Sequence, residues 1–187
     1  MKHSFARWAL PLCMAATWGC TSTNPADDAL GSHAEADVLI ERILELYRAF
    51  DFDAGAEPDW EAQRALSLEG ATFLPPVTPG LPLKGEGIEP FIEGFRAYAT
   101  SKSLAATGLH ERVTHIQGQV FGGIAVCFVT FEGHLPGESE RLTHGVDGLS
   151  FAKSAGQWRL VAFTSQYEGQ ALPIPAEFST LTWTPEP

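Results

Sequence analysis

Between Ala34 and Phe50, apolar residues recur at Ile40, Ile43, Leu44, Tyr47 and Phe50, while Glu35, Asp37, Glu41 and Glu45 take the other faces. That period predicts an amphipathic first helix. Pro58 stands near the head of a second, shorter helical segment, Asp59 to Leu66, which Asp51-Phe52-Asp53 and Ala54-Gly55 separate from the first. A short strand is expected at Ala71 to Leu74, ended by Pro75-Pro76, where two backbone donors are missing. After a Pro- and Gly-rich stretch, a third helix is expected from about Ile88 to Ser103, with Ile88, Phe91, Ile92, Phe95 and Tyr98 on one face. Glu89 and Glu93 near its start and Lys102 in its last turn suit the helix dipole.

From Leu109 onward the pattern changes to that of strands. Leu109 to Gln119, Ile124 to His134, Arg141 to Lys153 and Gln157 to Tyr167 are rich in Val, Ile, Phe and Thr. Gly122-Gly123, Leu135-Pro136-Gly137 and Ser154-Ala155-Gly156 separate them, and such short turns imply an antiparallel meander. The tail from Leu172 carries Pro173, Pro175, Pro185 and Pro187, which exclude a regular element. Three helices, a short strand and four long ones predict an α+β domain in which a cone-like, curved antiparallel sheet wraps around the N-terminal helices.

The start of the chain changes the picture of where this domain works. Lys2 and Arg7 precede a short apolar run, Trp8 to Ala16, far below the ~20 residues that span a bilayer. Thr17-Trp18-Gly19-Cys20 then resembles the bacterial lipobox, so residues 1–19 read as a lipoprotein signal peptide and Cys20 as the lipid attachment site. Thr21 in place of Asp implies, on the same resemblance, the outer membrane of the cell envelope, facing the periplasm. Residues 20–33 read as a lipidated tether, 34–178 as the domain and 179–187 as an extended tail. Loss of Lys2 and Arg7 leaves ten basic residues against 23 acidic, a formal −13, which excludes a nucleic-acid footprint and leaves membrane attachment to the lipid. Cys127, the one cysteine left after Cys13 and Cys20, sits in an apolar run that predicts burial and not nucleophilic use.

The order of elements resembles the nuclear transport factor 2-like superfamily, which includes SnoaL-like polyketide cyclases and steroid delta-isomerases. The segments that carry the resemblance are Glu45-Leu46-Tyr47-Arg48-Ala49-Phe50, Glu69-Gly70-Ala71-Thr72-Phe73, and Gly145-Val146-Asp147-Gly148-Leu149-Ser150-Phe151 ahead of Gly156-Gln157-Trp158-Arg159-Leu160. The steroid isomerases place a tyrosine on the first helix, a neutral aspartic acid on a late strand and a carboxylate base after the first strand. Tyr47 and Asp147 fit the first two; the base would fall at or beside Leu74-Pro75, where no side chain accepts a proton. The resemblance therefore implies a pocket but not that isomerase chemistry.

Asp147 shares strand parity with Thr143, Leu149 and Phe151; it is either a desolvated, cavity-facing acid or a solvated residue at a bulge beside Gly145 and Gly148. Tyr47 either packs in the core or points its hydroxyl into the cavity, and Phe95 would line the same pocket. His110, with Glu111, and His144 are the candidate bases. Five positions apart on a regular strand, His110 and His115 would face opposite sides, and no His or Cys cluster has zinc spacing, so no metal site and no cofactor are expected. Nucleophile-elbow and phosphate-loop patterns are absent from the sequence. Three functions stay open: a pocket for a small apolar or amphipathic ligand, an isomerase, cyclase or dehydratase using Asp147 as acid with His110 or His144 as base, and a homodimeric interaction module joined through the sheet face.

Overall fold

A computed structural model describes residues 25–77, 80, 82–169 and 172–178. The signal peptide, Cys20 and the tail 179–187 lie outside the described residues. The chain runs α1 (Pro25–Arg48), β1 (Phe52–Asp53), α2 (Trp60–Leu66), β2 (Ser67–Phe73), α3 (Ile88–Ser101), α4 (Leu104–Thr107), β3 (Gly108–Phe121), β4 (Ile124–His134), β5 (Arg141–Ser154), β6 (Gln157–Tyr167) and a 3₁₀ turn at Ala176–Phe178. One six-stranded sheet has the order β1-β3-β4-β5-β6-β2.

α1 begins nine residues before the amphipathic period and takes in part of the expected tether. Pro25 opens it, where a missing N–H costs nothing, and no apolar stripe marks the turns before Ala34. α2 is capped by Asp59, whose carboxylate accepts the Ala62 N–H at 2.9 Å. Buried Gln63 of α2 donates to the Leu46 carbonyl of α1 at 2.7 Å, tying the two helices together. α3 ends at Ser101, two residues early; Ser103 takes a left-handed conformation and starts the separate single turn α4.

β3 to β6 form the antiparallel meander. The sheet as a whole is mixed, because β2 lies parallel to β6, with Thr72 opposite Ala162 and Phe73 opposite Phe163. α3 carries the chain away from that edge, and nothing in the composition of β2 encodes its direction. β3 carries a bulge: Val113 faces Phe131 and His115 faces Thr130, so Thr114 is the extra residue. Strand parity flips there. Glu111 and Ile116 both point to the concave side, and His110 and His115 share the convex side, contrary to the regular-strand expectation.

The core lies between the concave face and α1. Leu39, Ile43 and Leu46 pack on Cys127, Val129, Leu149, Leu160 and Trp158, all buried. Burying such a side chain is worth about 1.5–3 kcal/mol, enough to fix α1 across the sheet. The Cys127 thiol is pushed up to about 12 by burial, which makes it a packing group and not a nucleophile. No helix among the described residues is long and apolar enough to cross a membrane.

Candidate functional site

At the open end of the cone the apolar packing gives way to polar groups. β5 turns Asp147 inward, directly opposite Val129 of β4 and Ser165 of β6. That register aims the Ser165 hydroxyl at Asp147 Oδ1, to which it donates at 2.6 Å. From α1, the Tyr47 hydroxyl donates to Oδ2 at 2.5 Å. Asp147 is 2% exposed, and burial pushes its carboxyl up to about 7 against the pull of the two hydroxyl donors. Tyr47 rises well above its ordinary value, through burial first and the charge of Asp147 second. Asp147 is thus the cavity-facing alternative of the two that the sequence leaves open.

A second acid stands close by. Glu111 of β3 faces Gly133 across the ladder, a partner with no side chain to crowd it. Its N–H donates to Asp51 Oδ1 at 2.7 Å, fixing the loop after α1. Burial pushes the Glu111 carboxyl up to about 8, with the charges of Asp147 and Asp51 adding to the rise. Asp51 is also raised by burial, while the Glu111 N–H and His110 pull it down.

Aromatic rings wall the rest of a hollow of about 250 Å³. The turn after α1 contributes Phe50, α3 contributes Phe91, Phe95 and Tyr98, and the sheet contributes Phe131, Phe163 and Tyr167. Phe91 stacks on Phe73 at 4.7 Å between ring centroids, and Phe50 meets Phe95 at 5.7 Å, so the walls brace one another. Phe131 fits because residue 145 is glycine: a Cβ there would come within 2.8 Å of the ring.

Of the residues singled out from the sequence, Tyr47, Phe95 and Asp147 line this one hollow. His110 and His144 do not. His110 sits on the convex side, its Nε2 3.2 Å from Asp53 Oδ1. His144, at opposite parity to Asp147, places Nδ1 2.9 Å from Glu168 Oε2, beside Arg141. Neither histidine lines the hollow; besides Asp147, the acids that do are Glu86 and Glu111. The signal of Glu111 in the sequence is an acid at alternate spacing between Leu109 and Val113, overshadowed there by the histidine beside it. Ser165 and Tyr167 carry no comparable signal. Among the described residues, no three His, Cys, Asp or Glu side chains converge to hold a metal ion.

Solved structures place this architecture. A cystatin-like fold protein of unknown function from Nostoc punctiforme superposes with a TM-score of 0.58 at 14% identity, over 73% of this chain and 93% of that one. The fold is nuclear transport factor 2-like. A nuclear transport factor 2-like protein with a cystatin-like fold from Novosphingobium aromaticivorans aligns with a TM-score of 0.55 at 17% identity, over 82% of this chain and 96% of its own. A candidate scytalone dehydratase from the same organism gives 0.55 at 13%, over 76% and 89%. At such identities the likeness is one of fold. No protein-family model matches the chain, and no curated protein matches it in sequence.

Proposed function

We propose that this nuclear transport factor 2-like domain binds a small amphipathic ligand, built on one or two rings, in the hollow between sheet and helices. The observation that carries the reading is a cavity with aromatic walls and one polar end, where Tyr47, Ser165, Asp147 and Glu111 meet. Thermal-shift measurements against steroids, polyketide-like aromatics and fatty acids test it. Ring compounds should raise the melting temperature, a gain of about 2.7 kcal/mol at a hundredfold excess over Kd. Absence of stabilisation by all three classes would overturn the reading.

A catalytic use of the same hollow is favoured by two carboxyls held at about 7 and about 8. Near neutrality such a pair shares one proton. The two hydroxyl donors favour ionisation of Asp147, and Glu111, with no such donors among the described residues, is the better holder of the proton. The roles for an elimination on a ring substrate are then Asp147 as proton acceptor from carbon and Glu111 as proton donor to the departing hydroxyl, which leaves as water. A scytalone dehydratase candidate on this fold is compatible with that class. Asp147→Asn and Glu111→Gln should each lower turnover of a hydroxylated bicyclic ketone by about 10²–10⁴-fold. Undiminished turnover in both variants would exclude the mechanism.

We further infer that the domain works in the bacterial envelope, held by a lipid on Cys20; the small residue Gly19 ahead of that cysteine and the basic, then apolar, start of the chain support this. Replacing Cys20 by serine should move the protein from the membrane to the soluble fraction. Unchanged fractionation would contradict the anchor.

A further inference from the structure

The hollow is acidic without a counter-charge. Its acids are Glu86, Glu111 and Asp147, and no Lys, Arg or His side chain among the described residues lines it. Arg48 and Arg112 border a separate surface depression that shares Tyr47 and Glu111 with the hollow. Both are committed elsewhere: Arg48 to the Leu44 carbonyl at 3.1 Å and Glu41 at 3.3 Å, Arg112 to Glu132 at 2.5 Å. The hydroxyls of Tyr47 and Ser165 direct their protons at Asp147, so they present no donor to a ligand. The Glu111 carboxyl opens onto the hollow. What faces the space is the carboxyls of Glu86, Glu111 and Asp147 with the hydroxyls of Tyr98 and Tyr167, surrounded by ring faces. A cation placed among these acids meets opposite charge, and aromatic faces attract cations.

Resting on the binding reading above, we propose that the natural ligand is an organic cation, an amine or quaternary ammonium group carried on a flat ring system. The charge sits between Asp147 and Glu111, and the ring lies among Phe91, Phe95 and Phe131. Such a ligand supplies the counter-charge that the protein lacks, whereas a carboxylate or phenolate would meet only like charge. Of the other titratable groups near the two carboxyls, Asp51, with His110 beyond it, lies behind Glu111, and burial favours the neutral form of Tyr98 and Tyr167. Binding a cation ionises Asp147 and Glu111 together, so it releases protons and strengthens as pH rises.

Calorimetric titration with three probes of one shape, 2-naphthylmethylamine, 2-naphthylmethanol and 2-naphthoate, tests this on the soluble domain. The amine should bind about tenfold or more tightly than the alcohol, and its affinity should rise about tenfold from about pH 6 to about pH 8 while the alcohol's stays flat. Glu111→Gln should erase most of the amine's advantage over the alcohol. Equal or tighter binding of the alcohol or the naphthoate across that range would overturn the cation assignment while leaving a ring-binding cavity in place. If none of the three binds, the cavity reading falls and takes this inference with it.

Discussion

Two carboxyls with raised pKa values make the stability of the domain depend on pH in a definite direction. Asp147 rises from 3.8 to about 7 and Glu111 from 4.5 to about 8, so the folded protein holds protons that the unfolded chain has released. The stability attached to them is fully present below about pH 4 and is lost as pH climbs through about 7 and 8, at about 1.4 kcal/mol for each pH unit that separates a group's folded and unfolded values. Glu111→Gln should flatten this decline, melting close to the parent at pH 5 and above it at pH 8.5. A parallel offset at both pH values would show that the decline does not come from Glu111. Tyr47→Phe acts the other way on its neighbour: without a donor on Oδ2 the Asp147 carboxyl rises further, and carboxylate NMR shifts against pH would record the displacement.

The elements decide which side chains meet. Asp147 and Ser165 are partners because β5 and β6 pair in one register, and Tyr47 reaches them because α1 lies across the concave face. Gly145 lets the Phe131 ring stand where it does. Gly145→Ala should push that ring into the hollow, reducing ligand affinity about tenfold and lowering stability by about 1–3 kcal/mol through overpacking. Calorimetry together with thermal melting would separate the two effects. The Asp59 cap offers a control remote from the site: Asp59→Ala should cost about 1 kcal/mol and leave binding unchanged.

How far the site could be read from residues follows from the same register. Hydrophobic period locates α1, α2, α3 and the four long strands to within a few residues, apart from the N-terminal turns of α1. Alternation puts Asp147 on the parity of Leu149 and Phe151, and the helical period puts Tyr47 and Phe95 on packed faces. Period cannot reveal β1, two residues long, nor α4, a single turn, nor the parallel direction of β2. Glu111 enters the sequence reading only beside His110, because the neighbouring histidine looks the better base and because a bulge leaves no mark in the residues themselves.

For the whole molecule, the convex face poses the question of partners. Phe121 is 78% exposed and Phe128 45%, with Ile124 and Val126 between them, an apolar strip on β3 and β4. The 3₁₀ turn covers only part of this side: the Thr130 hydroxyl donates to the Phe178 carbonyl at 2.7 Å, and the Phe178 ring meets Phe128 edge-on at 5.4 Å. The homodimer expected through the sheet face would use this strip. Sedimentation of the soluble domain at tens of micromolar should then show a dimer that Val126→Glu dissociates with the melting profile of the monomer preserved. A monomer in the parent protein would remove the expectation.

Thr114, the surplus residue of β3, governs more than local geometry. Cutting it out would force the ladder to close without the flip, and everything from Gly108 to Val113 would exchange sides while the rest of the strand kept its place. Glu111 would leave for solvent, and His110 and Arg112 would swing in beside Asp147. A single-codon deletion would thereby take one of the chamber's three acids out and bring two basic side chains in beside Asp147, changing which ligands it admits.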